Sequence, residues 1–253
     1  MKAFLKKEWM EWLRTGRLMV LLMVFVLLGI MSPALAKLTP WLMETLSDSM
    51  AGTGIVTTEI TVDAMVSWAQ FYKNIPMGLV IFVLLCSGSF TGEYQKGTLV
   101  PVVTKGLSRR SILGAKTLFL FGAWTALYWL CFGITYGYNA YFWDNGIAGD
   151  LFFAGACYWL FGIWVAAVLA FVSAFAGSSA QVLSGTGGAA FGVYLLGLFP
   201  TFHSFLPAKL MEGTALLYGA EKPESYGGGI AAAVIMAALC LAAGAVCFDK
   251  RRL

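Results

Sequence analysis

Charged side chains are scarce. Only 12% of the 253 residues are Asp, Glu, Lys or Arg, while 59% are hydrophobic; a soluble domain carries about 25% charged residues. A chain of this composition cannot cover itself with a polar surface, which excludes an ordinary soluble domain. Histidine is rarer still. His203 stands alone, and neither an H-E-x-x-H pair nor a cluster of ligands at metal spacing is present, so no metal site is expected. The five cysteines, Cys86, Cys131, Cys157, Cys240 and Cys247, form no C-x-x-C pair and read as small apolar packing residues. A nucleotide-binding loop is also lacking. Gly92 to Thr98 gives G-x-x-x-x-G-T without the lysine that holds phosphate, and Gly114-Ala115-Lys116-Thr117 has no preceding glycine loop. Ser184-Gly185 follows Val182-Leu183, so the G-x-S-G setting of an intramembrane serine protease is absent. No repeat of 20 to 50 residues is visible.

What the chain does have is long apolar runs. Crossing about 30 Å of hydrocarbon takes about 20 apolar residues in a helix, and candidate spans lie at about 18–36, 75–91, 117–139, 151–176, 183–200 and 228–248. The expected fold class is therefore an all-α polytopic membrane protein with six transmembrane helices, a single domain over 1–253. The fifth span is the weakest, because GTGGAAFGVYLLGLFP is glycine-rich and ends at Pro200. Basic loops stay cytoplasmic. Placing both termini inside puts 13 of the 17 basic residues there and leaves Lys37, Lys73, Lys209 and Lys222 outside. The net charge of +4 then needs no nucleic-acid partner. The first span also resembles a cleavable signal peptide, with Ala34 and Ala36 spaced as A-x-A. The 17 residues ahead of it are long for a signal's basic region, which favours a retained span.

Three segments stand out beside the spans. Residues 3–16 place Leu5, Trp9, Trp12 and Leu13 on one helical stripe, with Lys6, Lys7, Glu8, Glu11 and Arg14 facing elsewhere. That pattern predicts an interfacial helix at residues 1–16, its rings in the headgroups and its cations near anionic lipid. Residues 92–116, GEYQKGTLVPVVTKGLSRRSILGAK, join the second and third spans and mix Glu93 and five cations with an apolar centre. Ser108 is placed to cap a new helix, and an amphipathic element here suits docking into a groove on a cytosolic partner. Residues 198–225 are apolar yet broken by Pro200, Pro207 and Gly213, as a re-entrant outer segment would be.

Glu93, then Gly97-Thr98-Leu99, then Ser108-Arg109, then Lys116 resembles the signature of type-2 ATP-binding-cassette (ABC) exporter permeases. Gly106 departs from it, since the family commonly has proline before x-S-R. The resemblance implies an elbow helix before the first span, short helices between the fifth and sixth, and a coupling helix within 92–116. It implies ATPase-coupling roles for Glu93, Gly97, Thr98, Leu99, Ser108, Arg109, Arg110 and Lys116, with Glu93 anchoring the end of the second span through a neighbouring cation. By the same resemblance the chain is a transport subunit without an ATPase site, in a bacterial cytoplasmic membrane. Its expected partners are two copies of a cytosolic ABC ATPase that bind the ATP and Mg, a second permease copy, and lipid. The near absence of ionisable residues within the spans argues against a secondary transporter or channel, which stays as the alternative together with an immunity-type protein that captures its ligand. Apolar spans favour an apolar or amphipathic cargo such as a drug, peptide antibiotic or lipid; a polymer channel lined by Trp124, Tyr128, Trp129, Tyr136 and Tyr138 is the other possibility.

Overall fold

A computed structural model describes residues 2–50, 62–95, 97 and 108–250. Among these the protein is all-helical, with no strand. The helices are α1 (Lys2–Arg14), α2 (Arg17–Met50), α3 (Ala64–Cys86), α4 (Gly88–Gln95), α5 (Arg109–Phe142), α6 (Leu151–Phe175), α7 (Ser179–Gly197), the short α8 (Pro200–His203) and α9 (Gly213–Leu217), and α10 (Gly227–Lys250). Five stretches are long and apolar enough to cross a membrane: Arg17–Leu42, Ala64–Gln95, Arg109–Phe142, Leu151–Phe175 and Pro223–Lys250. The expected fifth span falls on α7. Its 19 residues reach about 28 Å at 1.5 Å per residue, but Gln181, Ser184, Thr186 and five glycines keep its hydropathy below that of the other five.

Helix boundaries follow local chemistry. Asp63 caps α3, its carboxylate accepting the Val66 N–H at 3.1 Å, so this helix begins eleven residues before the apolar run that marks it in sequence. Ser108 caps α5 in the same way, accepting from Ser111 N–H at 3.2 Å. Gly16, with φ +71°, supplies the left-handed residue that turns α1 into α2. Pro33 and Pro40 in α2 and Pro76 in α3 lie inside helices, tolerable where neighbouring helices satisfy the freed carbonyls.

Lipid supplies no hydrophobic drive between helices, so close approach and polar contacts must hold them together. The seam between α5 and α6 uses both. Trp124 Nε1 donates to the Trp159 carbonyl at 3.0 Å, Tyr128 Oη to the Gly155 carbonyl at 2.8 Å, and Trp159 Nε1 to Thr125 Oγ1 at 3.0 Å. Gly162 lets the Trp124 ring lie directly against the α6 backbone, where a Cβ would overlap it. Thr135 Oγ1 donates to the Gly29 carbonyl at 3.0 Å and ties α5 to α2. Trp124 and Tyr128 are thus fully buried packing groups; Tyr136 and Tyr138 remain exposed.

At the end of the bundle opposite α1, the chain between α7 and α10 forms α8, α9 and two 3₁₀ turns, Pro207–Met211 and Pro223–Tyr226. Lys209 is buried there among Glu212 Oε2 at 3.1 Å and Glu221 Oε1 at 2.5 Å, and His203 Nε2 lies 2.8 Å from Glu212 Oε1. Gly213 packs against the Tyr72 ring of α3, and Tyr226 Oη donates to the Glu212 carbonyl at 2.9 Å.

Gly162→Ala is expected to force Trp124 out of its seat and to destabilise the protein by about 1–3 kcal/mol, the usual cost of overpacking. Gly133→Ala, on the same bundle but facing open space, is the control. Thermal unfolding in detergent separates them: the first lowers Tm and the second leaves it unchanged.

Candidate functional site

The site is a charge network where α1, α4 and α5 meet. Lys116 sits two turns into α5, and its side chain is 2% exposed. Its ammonium lies 2.9 Å from Glu8 Oε1 of α1 and 3.2 Å from Glu93 Oε2 of α4, and it donates to the Ser89 carbonyl at 3.0 Å. Lys7 completes the network from the solvent side. It donates to the other oxygen of Glu93 and stands 3.5 Å from Glu11 and 3.7 Å from Glu8. Two buried carboxylates thus share one buried ammonium, with a half-exposed lysine supplying the second positive charge.

The helices bring these groups together for identifiable reasons. On α1, Glu8 and Trp12 are four residues apart, so they share the face turned to the bundle; both are buried. Trp12 packs edge-on against Phe119 of α5 with ring centroids 4.9 Å apart. Trp9 and Leu13 are more than half exposed, although one edge of Trp9 still meets Phe119, with ring centroids 6.2 Å apart, while Leu5 is half-buried. The single apolar stripe seen in the sequence is therefore divided, with Trp12 buried against the protein, Trp9 at its edge and Leu13 exposed. Glu8 was expected on the polar side. Its burial depends on a lysine more than a hundred residues later, and periodicity within α1 cannot report such a partner; the one local signal was an acid four residues before a tryptophan.

Electrostatics bear out the strain of burial. Desolvation raises the pKa of Glu8, and the attraction of Lys116 only partly offsets it. Burial works in the other direction on Lys7, but Glu93 and the other two carboxylates outweigh it and hold the Lys7 pKa above its usual value. Glu8, Glu11 and Glu93 present oxygens within 4.8 Å of one another, a spacing that a cation can bridge. Lys7 and Lys116 already supply the positive charge there, so the trio reads as an ion-pair network.

Glu93 and Lys116 are joined directly, and the sequence-predicted pairing of Glu93 with a neighbouring cation is met twice. Gln95 Nε2 donates to the Gly177 carbonyl at 3.2 Å, tying the end of α4 to the α6–α7 turn. Arg109 and Arg110 form a separate clip: Arg110 Nε lies 2.6 Å from Asp249 Oδ2 and Arg109 Nη1 donates to the Asp249 carbonyl at 3.0 Å, fastening the start of α5 to the end of α10. Gly97 takes φ +65° just beyond α4. Thr98 and Leu99 lie outside the described residues. On the two sides of residues 98–107, Glu93 of α4 and Lys116 of α5 meet in the same network.

Lys116→Met leaves Glu8 and Glu93 buried with one cation between them, and removal of one partner from a buried pair costs about 3–5 kcal/mol. Glu8→Gln removes a carboxylate that burial already disfavours, so its loss in thermal stability is expected to be smaller. Proton uptake gives the sign independently. Because the Glu8 pKa is raised, its stabilising contribution is complete below the usual value of 4.5 and is lost as pH rises through the raised value. Over that window, stability of the wild type should fall more steeply with pH than that of Glu8→Gln.

Residues 3–253 match the family described as ABC-2 family transporter protein. The uncharacterized transmembrane protein YxlG of Bacillus subtilis (strain 168) is 25% identical over 236 residues, covering 90% of this chain and 88% of its own length. No solved structure matches.

Proposed function

The chain belongs to the ABC-2 transporter family, and we propose that it is the membrane-spanning permease subunit of an ATP-driven exporter, with its segment 92–116 as the contact for a cytosolic ABC ATPase. The observation that carries this reading is the common root of that segment: Glu93 near its start and Lys116 at its end meet in one buried network with α1. A push or pull on the segment is then delivered to three helices together. The basic end of the bundle is the cytoplasmic one in this reading, with α7 counted as the fifth of six spans and both termini inside, as the distribution of Lys and Arg supports.

Two ATPase copies hold ATP and Mg, since this chain lacks the phosphate-binding lysine loop. A second permease copy is supported by α7, which buries only Val182, Thr186 and Gly197 within one chain. The cargo is apolar or amphipathic. Support comes from two cavities at bilayer depth: one of about 790 Å³ between α6, α7 and α10, with Trp164, Phe171 and Met236 in its wall, and one of about 370 Å³ between α3, α6 and α7, walled by Pro76, Phe161 and Phe191. Neither is lined by an acidic or basic side chain, which fits neither an ion nor a proton relay. The segment 198–225 is the outer, re-entrant element in this reading.

Purification from native membranes is expected to recover an ABC ATPase with the chain. Thr98→Cys or Leu99→Cys should cross-link to that ATPase, whereas Lys222→Cys at the opposite end should not. Recovery of no ATPase, together with transport that survives ATP depletion but collapses with the proton gradient, would move the assignment to a secondary transporter.

A further inference from the structure

A cleft of about 540 Å³ opens where α1 turns into α2, walled on its far side by α4. Its charged lining is Lys7, Glu11, Arg14, Arg17 and Glu93. Lys7 is engaged by Glu93 and Glu11, so those three groups largely neutralise one another. Arg14 and Arg17 are different. Among the described residues neither guanidinium has a carboxylate partner, and Arg17 reaches only Ser89 Oγ, at 3.4 Å. The wall opposite them is cut back. Gly88 and Gly92 stand one helical turn apart on α4; a Cβ at Gly92 would meet nothing within 4 Å, and one at Gly88 would come to 3.6 Å from Arg17 Nη2. Met10 lines the cleft and is exposed, as are Leu13, Met19 and Val20, which lie within three residues of the two cations in sequence. Two forked cations, a side-chain-free wall and an exposed apolar border coincide at the turn from an interfacial helix into a span.

We propose that this cleft binds the phosphate of an anionic phospholipid, held between Arg14 and Arg17, with the acyl chains running along the exposed apolar face of α2. A guanidinium matches phosphate oxygens two at a time, and basic pockets beside spans at the cytoplasmic surface suit anionic headgroups. The apolar border is what selects a lipid over a free anion, because Met19 and Val20 continue into Met23 and Leu27, also exposed on α2. The lipid wedges the turn at Gly16 and so keeps α1 seated on α4 and α5. This inference rests on the reading that puts α1 at the cytoplasmic surface, but on neither the cargo nor the ATPase.

Native mass spectrometry of the delipidated full chain, titrated with dioleoylphosphatidylglycerol or dioleoylphosphatidylcholine, tests it without ATP or cargo. The wild type is expected to retain phosphatidylglycerol in preference. Each cation near a membrane surface contributes about a factor of five, so Arg14→Gln with Arg17→Gln should weaken that retention by about twentyfold or more. Lys6→Gln with Lys250→Gln removes the same charge outside the cleft and should leave it nearly intact; Arg14→Lys with Arg17→Lys, which keeps charge but loses the fork, should fall between. Equal loss in the Lys6/Lys250 pair would reduce the effect to general charge attraction and overturn the site. So would equal retention of the two lipids, or displacement of phosphatidylglycerol by millimolar inorganic phosphate, which would mark a free-anion site. A tag on the amino terminus found outside the cell would sink the orientation beneath it, a failure distinct from any of these.

Discussion

A lysine ammonium buried between two carboxylates is the constraint on which the basic end of this protein depends. Lys116, Glu8 and Glu93 come from three helices, and none can leave water alone without a cost of several kcal/mol. Each is therefore tolerable only when the other two are in place. That mutual requirement converts three separately placed helices into a unit, and it fixes α1 at one angle and depth where an interfacial helix bound by rings alone would slide. Lys7 supplies the remaining charge from the rim, and the Trp12–Phe119 contact fills the apolar space beneath. The Arg109–Arg110 clip onto Asp249 adds the end of α10 to the same assembly.

The rest of the bundle is organised differently. Within the apolar layer, α5 and α6 meet through indole and phenol hydrogen bonds to backbone carbonyls and through glycine gaps, since exclusion of water contributes little between helices in lipid. At the far end, Lys209 plays a part resembling that of Lys116, gathering Glu212 and Glu221 beneath Tyr226. There the carboxylates are partly exposed. Lys209 lowers the Glu221 pKa below the ordinary carboxylate range, so this tie is weakened only when pH falls through that lowered value. The two ends thus respond to acid in opposite senses, and the buried basic end is the more permanent joint.

Much of this was legible in the sequence, and for a physical reason. Runs of apolar residues state the solvent directly, so all five span-competent stretches were located, with ends that differ by up to eleven residues; the start of α3 was missed because Asp63 and an amphipathic first turn extend it beyond its apolar part. Ser108 announced its helix because capping is local. Glu93 and Lys116 were picked out by their resemblance to a family pattern, yet their partners were not, because Lys7 and Glu8 read as the polar face of a surface helix until a tertiary contact turns one of them inward. The glycines of α7 made that helix hard to assign for the same reason they matter: small residues lower hydropathy while allowing close approach.

Movement of α1, α4 and α5 as one body is the claim that most needs a direct measurement. Spin labels at Met10→Cys on α1 and Leu118→Cys on α5, both exposed positions, report it through their distance distribution in a complex with the proposed ABC ATPase, with and without a trapped nucleotide. One narrow distribution is expected, unchanged between states, while the distance from Leu118→Cys to a label at Leu195→Cys on α7 shifts. A Met10–Leu118 distance that lengthens or broadens when nucleotide binds would show α1 detaching during the cycle, and the shared charge network would then be a resting contact with no part in transmission.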